Sequence, residues 1–345
     1  LSSADWMTRN LDYRIEAAVK VTQKNLKKEM KDFSEFISRE ISRKMSERPF
    51  GMLKLPSKGL YYTNKNQFLL IGHLTYHEEN ILSSEMMHEE NLAMPIVLNK
   101  VIINNDFDVS EILSCDVQAI SMFLRAYAYG DAMTVEVECP HCGRKDEHNF
   151  RISDFKSRDL IDVPDEKGET TVITGKYGKV IKLKPRTYFE ELEFFKNKDL
   201  KPIDNVCFNI SEYEGERDSN KIKKILSSLK IVEYRDIKDS IANKLPGINT
   251  NTVYECTFCE KETVVGFGQS GVDFLKLPAS MVASVMEEMF LLSHYGQNIT
   301  IEDIKKMAVM ERRWLINRLS EELQKKKEAE EAAARAAKSR GRGKK

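Results

Sequence analysis

Two Cys-x-x-Cys pairs constrain this chain more than any other feature. Cys139 and Cys142 lie in VECPHCG, Cys256 and Cys259 in YECTFC, and 113 residues separate the pairs. Thiolates at i and i+3 on a tight turn present two sulfurs to one metal at about 2.3 Å each, and two such turns complete a tetrahedral site. If both pairs close one site, the fold must bring the chain back to the same point after a domain-sized excursion. CPHCG places Pro140 inside its turn and Gly143 just after it, whereas CTFCE has neither and is the weaker half. Both pairs sit between strand-like runs, so the expected arrangement is a split zinc ribbon with Cys139, Cys142, Cys256 and Cys259 as ligands. The alternatives are a thioredoxin-like redox pair, which wants one pair at a helix N-terminus, and unpaired core thiols. A closed four-thiolate zinc has no open coordination position, so it staples rather than catalyses. His141 could substitute as a ligand, although four sulfurs suffice, and His148 is expected at the surface. Cys115 and Cys207 are expected as ordinary buried or half-buried thiols.

At 345 residues the chain exceeds one typical domain. Six cysteines are too sparse for a disulfide scaffold, which favours a reducing cytoplasm. Fifty-four basic and 54 acidic residues cancel, so no global field favours nucleic acid or membrane. No apolar run approaches the length of a spanning helix, and LSSADWMTRN lacks the apolar core of a signal peptide.

From Leu11 to Met45 the apolar positions are Leu11, Ile15, Val19, Leu26, Met30, Phe33, Ile37, Ile41 and Met45, and with Thr22 filling the one gap the spacing is fours and threes throughout. That spacing predicts one long amphipathic helix of about 50 Å. Its stripe is the leading partner surface, with Leu26, Met30, Phe33, Ile37 and Ile41 as helix-in-groove contacts. The other reading is packing against the body. Pro49, Gly51 and Pro56 break this helix.

Two places then read strand, Thr-Tyr-x-Glu-Glu, apolar helix: one at Thr75–Glu79, the other at Thr187–Glu191. Thr with Glu three residues on is a capping-box pattern. Each copy is followed by a helix ending at Gly or Pro-Gly, a strand and a cysteine pair. Thr75 precedes Cys139 by 64 residues, and Thr187 precedes Cys256 by 69. A degenerate internal duplication is expected, strand–helix–helix–strand–knuckle in each half; chance spacing of unrelated helices is the alternative. From about Phe274 the chain reads as helical. SMVASVMEEMFLLSHYG ends at Gly296, Thr300 with Asp303 restarts a helix, and Trp314, Leu315, Leu319 and Leu323 are expected to pack. Beyond Gln324 an Ala-rich stretch favours helix, its end, from Arg335, is basic with no acid, and a fraying helix with a disordered basic tip is expected.

Catalytic motifs are not found. HEENL at His88 lacks the second His of a zinc-protease helix, and GFGQSG lacks the Lys of a phosphate loop. NNDFDVSE lacks calcium-loop spacing. His73 and His77 read as capping and surface residues. The knuckle flanks GRKDEH and EKETVV carry mixed charges without stacking aromatics, which argues against a nucleic-acid ribbon.

LPSKGLYY at Leu55–Tyr62, FLRAYAYGD followed by VECPHCG, LPGIN followed by YECTFC, and the closing MEEMFLLSHYG with IEDIKKMAVMERRWLINRL occur in a specific order. In this order the chain resembles the baseplate hub assembly proteins of T4-type contractile-tailed bacteriophages, over roughly residues 50 to 320. The N-terminal helix and basic tail lie outside the resemblance. It implies a non-enzymatic chaperone or minor structural subunit that promotes assembly of the tail hub. The implied partners are other hub or tape-measure proteins, with no small-molecule substrate. The implied location is the host cytoplasm during assembly or the virion tail baseplate. The rival class is a zinc-ribbon nucleic-acid accessory.

The expected fold is α+β: a long N-terminal helix (1–49), two related strand–helix halves (50–150 and 151–270) joined at the four-cysteine zinc ribbon, a C-terminal helical unit (271–323) and an Ala/Lys/Arg-rich tail (324–345).

Overall fold

The computed structural model describes residues 49–104, 107–158, 162–197, 199–266, 275, 280–296 and 299–342. The chain divides between Glu47 and Arg48 into two units. The stripe residues Leu26, Met30, Phe33, Ile37 and Ile41 belong to the first unit and lie outside the described residues. The second unit mixes helix and sheet as an α+β protein does.

A two-stranded antiparallel sheet of β1 (Phe50–Lys54) and β2 (Phe68–Gly72) opens the second unit. Between the strands, LPSKGLYY makes a turn with Lys58 at φ 53° and Gly59 at φ 70°. A Cβ on Gly59 would lie 2.3 Å from the Asn66 carbonyl oxygen, so only glycine fits that close approach. The turn delivers two groups to buried Asp116: the Ser57 N–H donates to Oδ1 at 3.0 Å, and the Tyr62 hydroxyl donates to Oδ2. Tyr62 in turn accepts the Leu113 N–H at 3.0 Å. Burial raises the Asp116 carboxyl above its usual range, and these donors act against that.

Helices α1 (Tyr76–Leu82), α2 (Glu85–Glu89), α3 (Ala93–Val101) and α4 (Ser114–Tyr129) come next, and Gly130 at φ 96° ends α4. Leu69, Ile71, Leu82, Val97, Leu98, Ile120 and Leu124 form the first core with Tyr188 and Val309 from far along the chain. The hairpin β3 (Ala132–Glu138) with β4 (Lys145–Arg151) carries the first cysteine pair. A short strand β5 (Lys156–Ser157) then leads on.

The second half builds a three-stranded sheet from β6 (Thr170–Ile173), β7 (Val180–Leu183) and β8 (Ile210–Tyr213), with β7 central. Helices α5 (Tyr188–Phe195), α6 (Pro202–Phe208), α7 (Ser219–Ser228) and α8 (Ile231–Lys244) accompany it. Ile181, Leu183, Ile222, Leu226 and Ile237 form a separate core. The strands β9 (Ile248–Asn249), β10 (Asn251–Glu255) and β11 (Glu262–Gly266) complete this half. β9 pairs with β5, and β10 with β11 forms the hairpin of the second cysteine pair. The extra strand β8 and the additional helices depart from the simple strand–helix–helix–strand plan expected for both halves.

The C-terminal helices are α9 (Ser280–Tyr295), α10 (Ile301–Lys306) and α11 (Val309–Arg342). Val285, Met289, Leu292 and Ile304 form their core, with Leu315, Ile316 and Leu319 packed at its margin. Trp314 does not pack as expected: it is 63% exposed, and Leu323 is also exposed. Trp314 lies on the opposite face of α11 from buried Arg312 because two residues advance about 200° around a helix. α11 also runs through Gln324 without a break, although every described side chain from Ser320 to Arg335 is exposed. Its Ala-rich composition and i,i+4 pairs such as Arg318–Glu322 and Arg335–Glu331 sustain it there.

Thr75 and Thr187 both start their helices with capping boxes. The structure adds a relation that spacing alone does not reveal. Thr75 bridges Ala308, and Leu74 accepts the Val309 N–H at 2.8 Å. Thr187 bridges Leu113, and Arg186 accepts the Ser114 N–H at 3.4 Å. Val309 and Ser114 are the first residues of α11 and α4. Each cap therefore docks the start of a long helix from elsewhere in the chain.

Arg312 locks the C-terminal helices to the first half. It is 1% exposed, bonds Glu79 at 2.7 Å and Glu288 at 2.8 Å, and leaves Nη1 without a partner among the described residues. Glu79 also accepts the Tyr129 hydroxyl at 2.7 Å. Burial raises the Glu79 carboxyl, with Arg312 opposing. Breaking a buried pair strands a charge, so Arg312→Ala or Glu79→Gln should lower stability by about 3–5 kcal/mol. Urea unfolding of each variant, followed by circular dichroism, checks this; a loss under about 1 kcal/mol, the range of a surface pair, would contradict it.

Candidate metal centre

The two cysteine turns share one pattern of backbone hydrogen bonds. In the first, the Cys139 N–H donates to the Arg144 carbonyl at 2.9 Å and the Gly143 N–H to the Cys139 carbonyl at 2.8 Å. In the second, the Cys256 N–H donates to the Lys261 carbonyl at 3.2 Å and the Glu260 N–H to the Cys256 carbonyl at 2.9 Å. The hairpin registers match as well, Glu138 opposite Lys145 and Glu255 opposite Glu262. CTFCE, the weaker half by sequence, makes the same knuckle because Glu260 adopts φ 55° where Gly143 adopts φ 68°. A non-glycine residue in this region is strained by about 1–2 kcal/mol.

The turns bring all four thiols together. Cys139 Sγ lies 3.7 Å from Cys259 Sγ, and Cys142 Sγ lies 3.7 Å from Cys256 Sγ. The four sulfurs are within 4.8 Å of one another. A disulfide would need about 2.05 Å. A tetrahedron with sulfurs about 2.3 Å from its centre has edges of about 3.8 Å, so the donor set fits a zinc-sized ion. The pairing is crossed: the first cysteine of one knuckle approaches the second of the other, as a local twofold relation requires. Each pair sits on a hairpin turn rather than at a helix N-terminus, unlike the redox arrangement.

The surroundings are dry on one side. Cys139 and Cys256 are buried with Val137 and Tyr254, while Cys142 is exposed and Cys259 half-buried. Burial pushes the Cys256 thiol up, but hydrogen bonds, with the backbone of Phe258 foremost, outweigh it and bring it down to about 6. Cys259 goes the other way: its bond from the Lys261 backbone lowers it, but burial and the neighbouring thiols outweigh that and push it up to about 11. Cys256 is thus the member of the cluster disposed to be thiolate, the form that ligates metal.

Several contacts at the joint are not visible in the sequence. Asp146 on β4 reaches across to the second knuckle, accepting from the Tyr254 hydroxyl at 3.0 Å, the Thr257 N–H at 3.1 Å and the Thr257 hydroxyl at 2.7 Å. The Thr257 hydroxyl, with these other donors, holds the Asp146 carboxyl below its usual range. Arg144 lies over the Phe258 ring at 5.0 Å. His148 is half-buried rather than on the surface, with its ring 5.3 Å from Tyr254. His141 is exposed and outside the thiol cluster, while Cys115 and Cys207 belong to other cores. His77 is exposed as expected. His73 is buried, 4.8 Å from the Tyr127 ring, rather than at the surface.

Glu260→Gly should leave stability unchanged or raise it by up to about 1 kcal/mol, whereas Gly143→Val should lower it by about 1–2 kcal/mol. Asp146→Ala strips an acceptor from three donors and should cost about 1–3 kcal/mol. Thermal melts of the three variants check both statements, and a destabilised Glu260→Gly would contradict the strain argument.

Comparison with known proteins divides the chain where the structure does. Residues 1–48 match the family model described as polyphosphate kinase C-terminal domain 2. A polyphosphate kinase from Yersinia pestis is 46% identical over 54 residues, which cover 14% of this chain and 8% of that protein. The chain thus spans a small fraction of that relative. No solved structure matches. Residues 70–274, more than half of the chain, match the family model described as T4 bacteriophage base plate protein, and this span contains both Thr-Tyr caps and all four clustered cysteines. The chain belongs to the T4 bacteriophage base plate protein family.

Proposed function

We propose that this base plate protein acts through protein–protein contacts in assembly of the tail hub, without enzymatic activity, and is held in shape by one structural zinc on Cys139, Cys142, Cys256 and Cys259. The observation that carries the zinc is the pair of 3.7 Å sulfur contacts between knuckles that match in register and backbone bonding. The metal would supply no chemistry beyond cross-linking. Four thiolate ligands fill a tetrahedral ion, which leaves no position for substrate.

The organisation proposed with it is a pair of related halves, 50–150 and 151–270, pinned at the ion, with a helical unit docked on the first. Support comes from the repeated cap, the repeated docking of a long helix on it, and the repeated hairpin. Partners would be hub or tape-measure subunits, met in the host cytoplasm or in the virion tail. No described helix is long and apolar enough to cross a membrane. Residues 1–49, with the Leu26–Ile41 stripe, are the proposed partner helix. Residues 1–48 match a different family from residues 70–274, which favours a separable role for that segment.

Zinc by plasma mass spectrometry on the full chain should give one ion per molecule, and Cys256→Ser/Cys259→Ser should lose it. Structural zinc sites contribute several kcal/mol to folding, so the double variant should also melt well below the parent. Unchanged metal content or melting point would remove the staple. For the assembly role, hub subunits produced with and without this protein are compared by electron microscopy. Equal yields of complete hubs would overturn the assembly reading while leaving the metal result intact.

A further inference from the structure

The matched registers of the two hairpins allow their solvent-facing sides to be compared position by position. Three residues before the first cysteine and five after the second, the β3–β4 hairpin carries Glu136 and Glu147, and the β10–β11 hairpin carries Val253 and Val264. Each pair is directly opposed across its hairpin. Next to the knuckle, the first hairpin opposes Glu138 to Lys145, and the second opposes Glu255 to Glu262.

The first face is polar throughout and partly paired with itself, Lys145 sharing a side with the opposed Glu136 and Glu147. Lys145 bonds Glu136 at 2.7 Å, and the Thr134 hydroxyl bonds Asn149 across the strands. The second face differs. Val253 is 59% and Val264 66% exposed, and neither Glu255 nor Glu262 has an ion pair among the described residues. The alternation of the strands sets these side chains on the side away from Tyr254 and Val265, which face the thiol cluster. Like charges directly opposed across strands are destabilising, and an exposed aliphatic pair gains nothing from water. The same scaffold, a hundred residues earlier, places hydrated glutamates where this one places the two valines, and a lysine where this one places Glu262.

We infer that the outer face of the β10–β11 hairpin is a docking surface for a basic polypeptide segment that presents aliphatic side chains between its lysines or arginines. The aliphatic residues cover Val253 and Val264, and the cations neutralise Glu255 and Glu262. The acidic rim repels phosphates, and these four positions offer no aromatic ring for a base to stack on, so the occupant is protein rather than nucleic acid. The inference stands on hairpin register and surface chemistry and does not depend on the assembly role.

The test uses the full chain and a short peptide alternating Lys and Val, with a Glu/Val peptide as control. Binding is followed by fluorescence anisotropy and by amide shifts on 15N-labelled protein. The Lys/Val peptide should bind and move the β10–β11 amides. Val253→Thr/Val264→Thr should weaken it roughly tenfold, and Glu255→Lys/Glu262→Lys should transfer binding to the Glu/Val peptide. All four positions face solvent, and each variant is required to keep the parent's melting point. A Lys/Val peptide that does not bind, or binds both variants as it binds the parent, overturns the proposal. So does displacement by a single-stranded oligonucleotide at the same amides. Self-association of the parent that Val253→Thr/Val264→Thr abolishes overturns it too, by making a second copy the occupant.

Discussion

Four cysteine sulfurs within 4.8 Å of one another dictate the chemistry of this joint. As thiolates at this distance they would repel one another, and the proposed divalent cation would offset that repulsion. The other features at the crossing serve to hold that cluster. Matched hydrogen bonds aim each pair inward, Val137 and Tyr254 exclude water from one side, and Asp146 ties one hairpin to the turn of the other. The short β5–β9 pairing sets the two halves alongside one another just before the second hairpin begins.

The second organising device is the Thr-Tyr-x-Glu-Glu cap. A capping box satisfies the first amides of its own helix. Here it also supplies a backbone edge on which another helix begins: α11 at Thr75, and α4 at Thr187. In the first half the last Glu of the motif, Glu79, receives the buried Arg312. In the second, the corresponding Glu191 has no such cation among the described residues, and burial raises its carboxyl. The ionic lock is therefore specific to the C-terminal helices. Buried ion pairs contribute more to the choice of partner than to net stability, and a lock on one of two similar docking edges is consistent with that.

Local signals in the sequence are reliable where the chemistry is local. The capping boxes at Thr75, Thr187 and Thr300, the Gly130 stop, the strands on either side of each cysteine pair and the pairs themselves follow from residue types at short spacing. Signals fail where a neighbour distant in sequence decides. Asp146 sits in a mixed-charge run, and only the fold shows that it faces Thr257. Trp314 reads as core, yet the phase of α11 is set by Arg312 and turns the indole outward. The second knuckle reads as weaker because Pro and Gly are missing, but surrounding contacts hold Glu260 in the conformation glycine would take freely. β8 enlarges the second half because ISEY, too short to read as a strand, buries Ile210 and Tyr213 in that core while pairing with β7.

The first core contains residues from very different points in the chain. Leu55, Tyr188 and Val309 are all buried in it. A ribosome adding about 5–20 residues per second would therefore emit the last of these roughly 10–50 s after the first. For that interval the core around β2 and α3 lacks Val309, whereas the core around Ile181 and Ile222 draws only on residues already made. Any surface that depends on this core is complete only once Val309 has left the ribosome, so the oldest part of the fold is among the last to close.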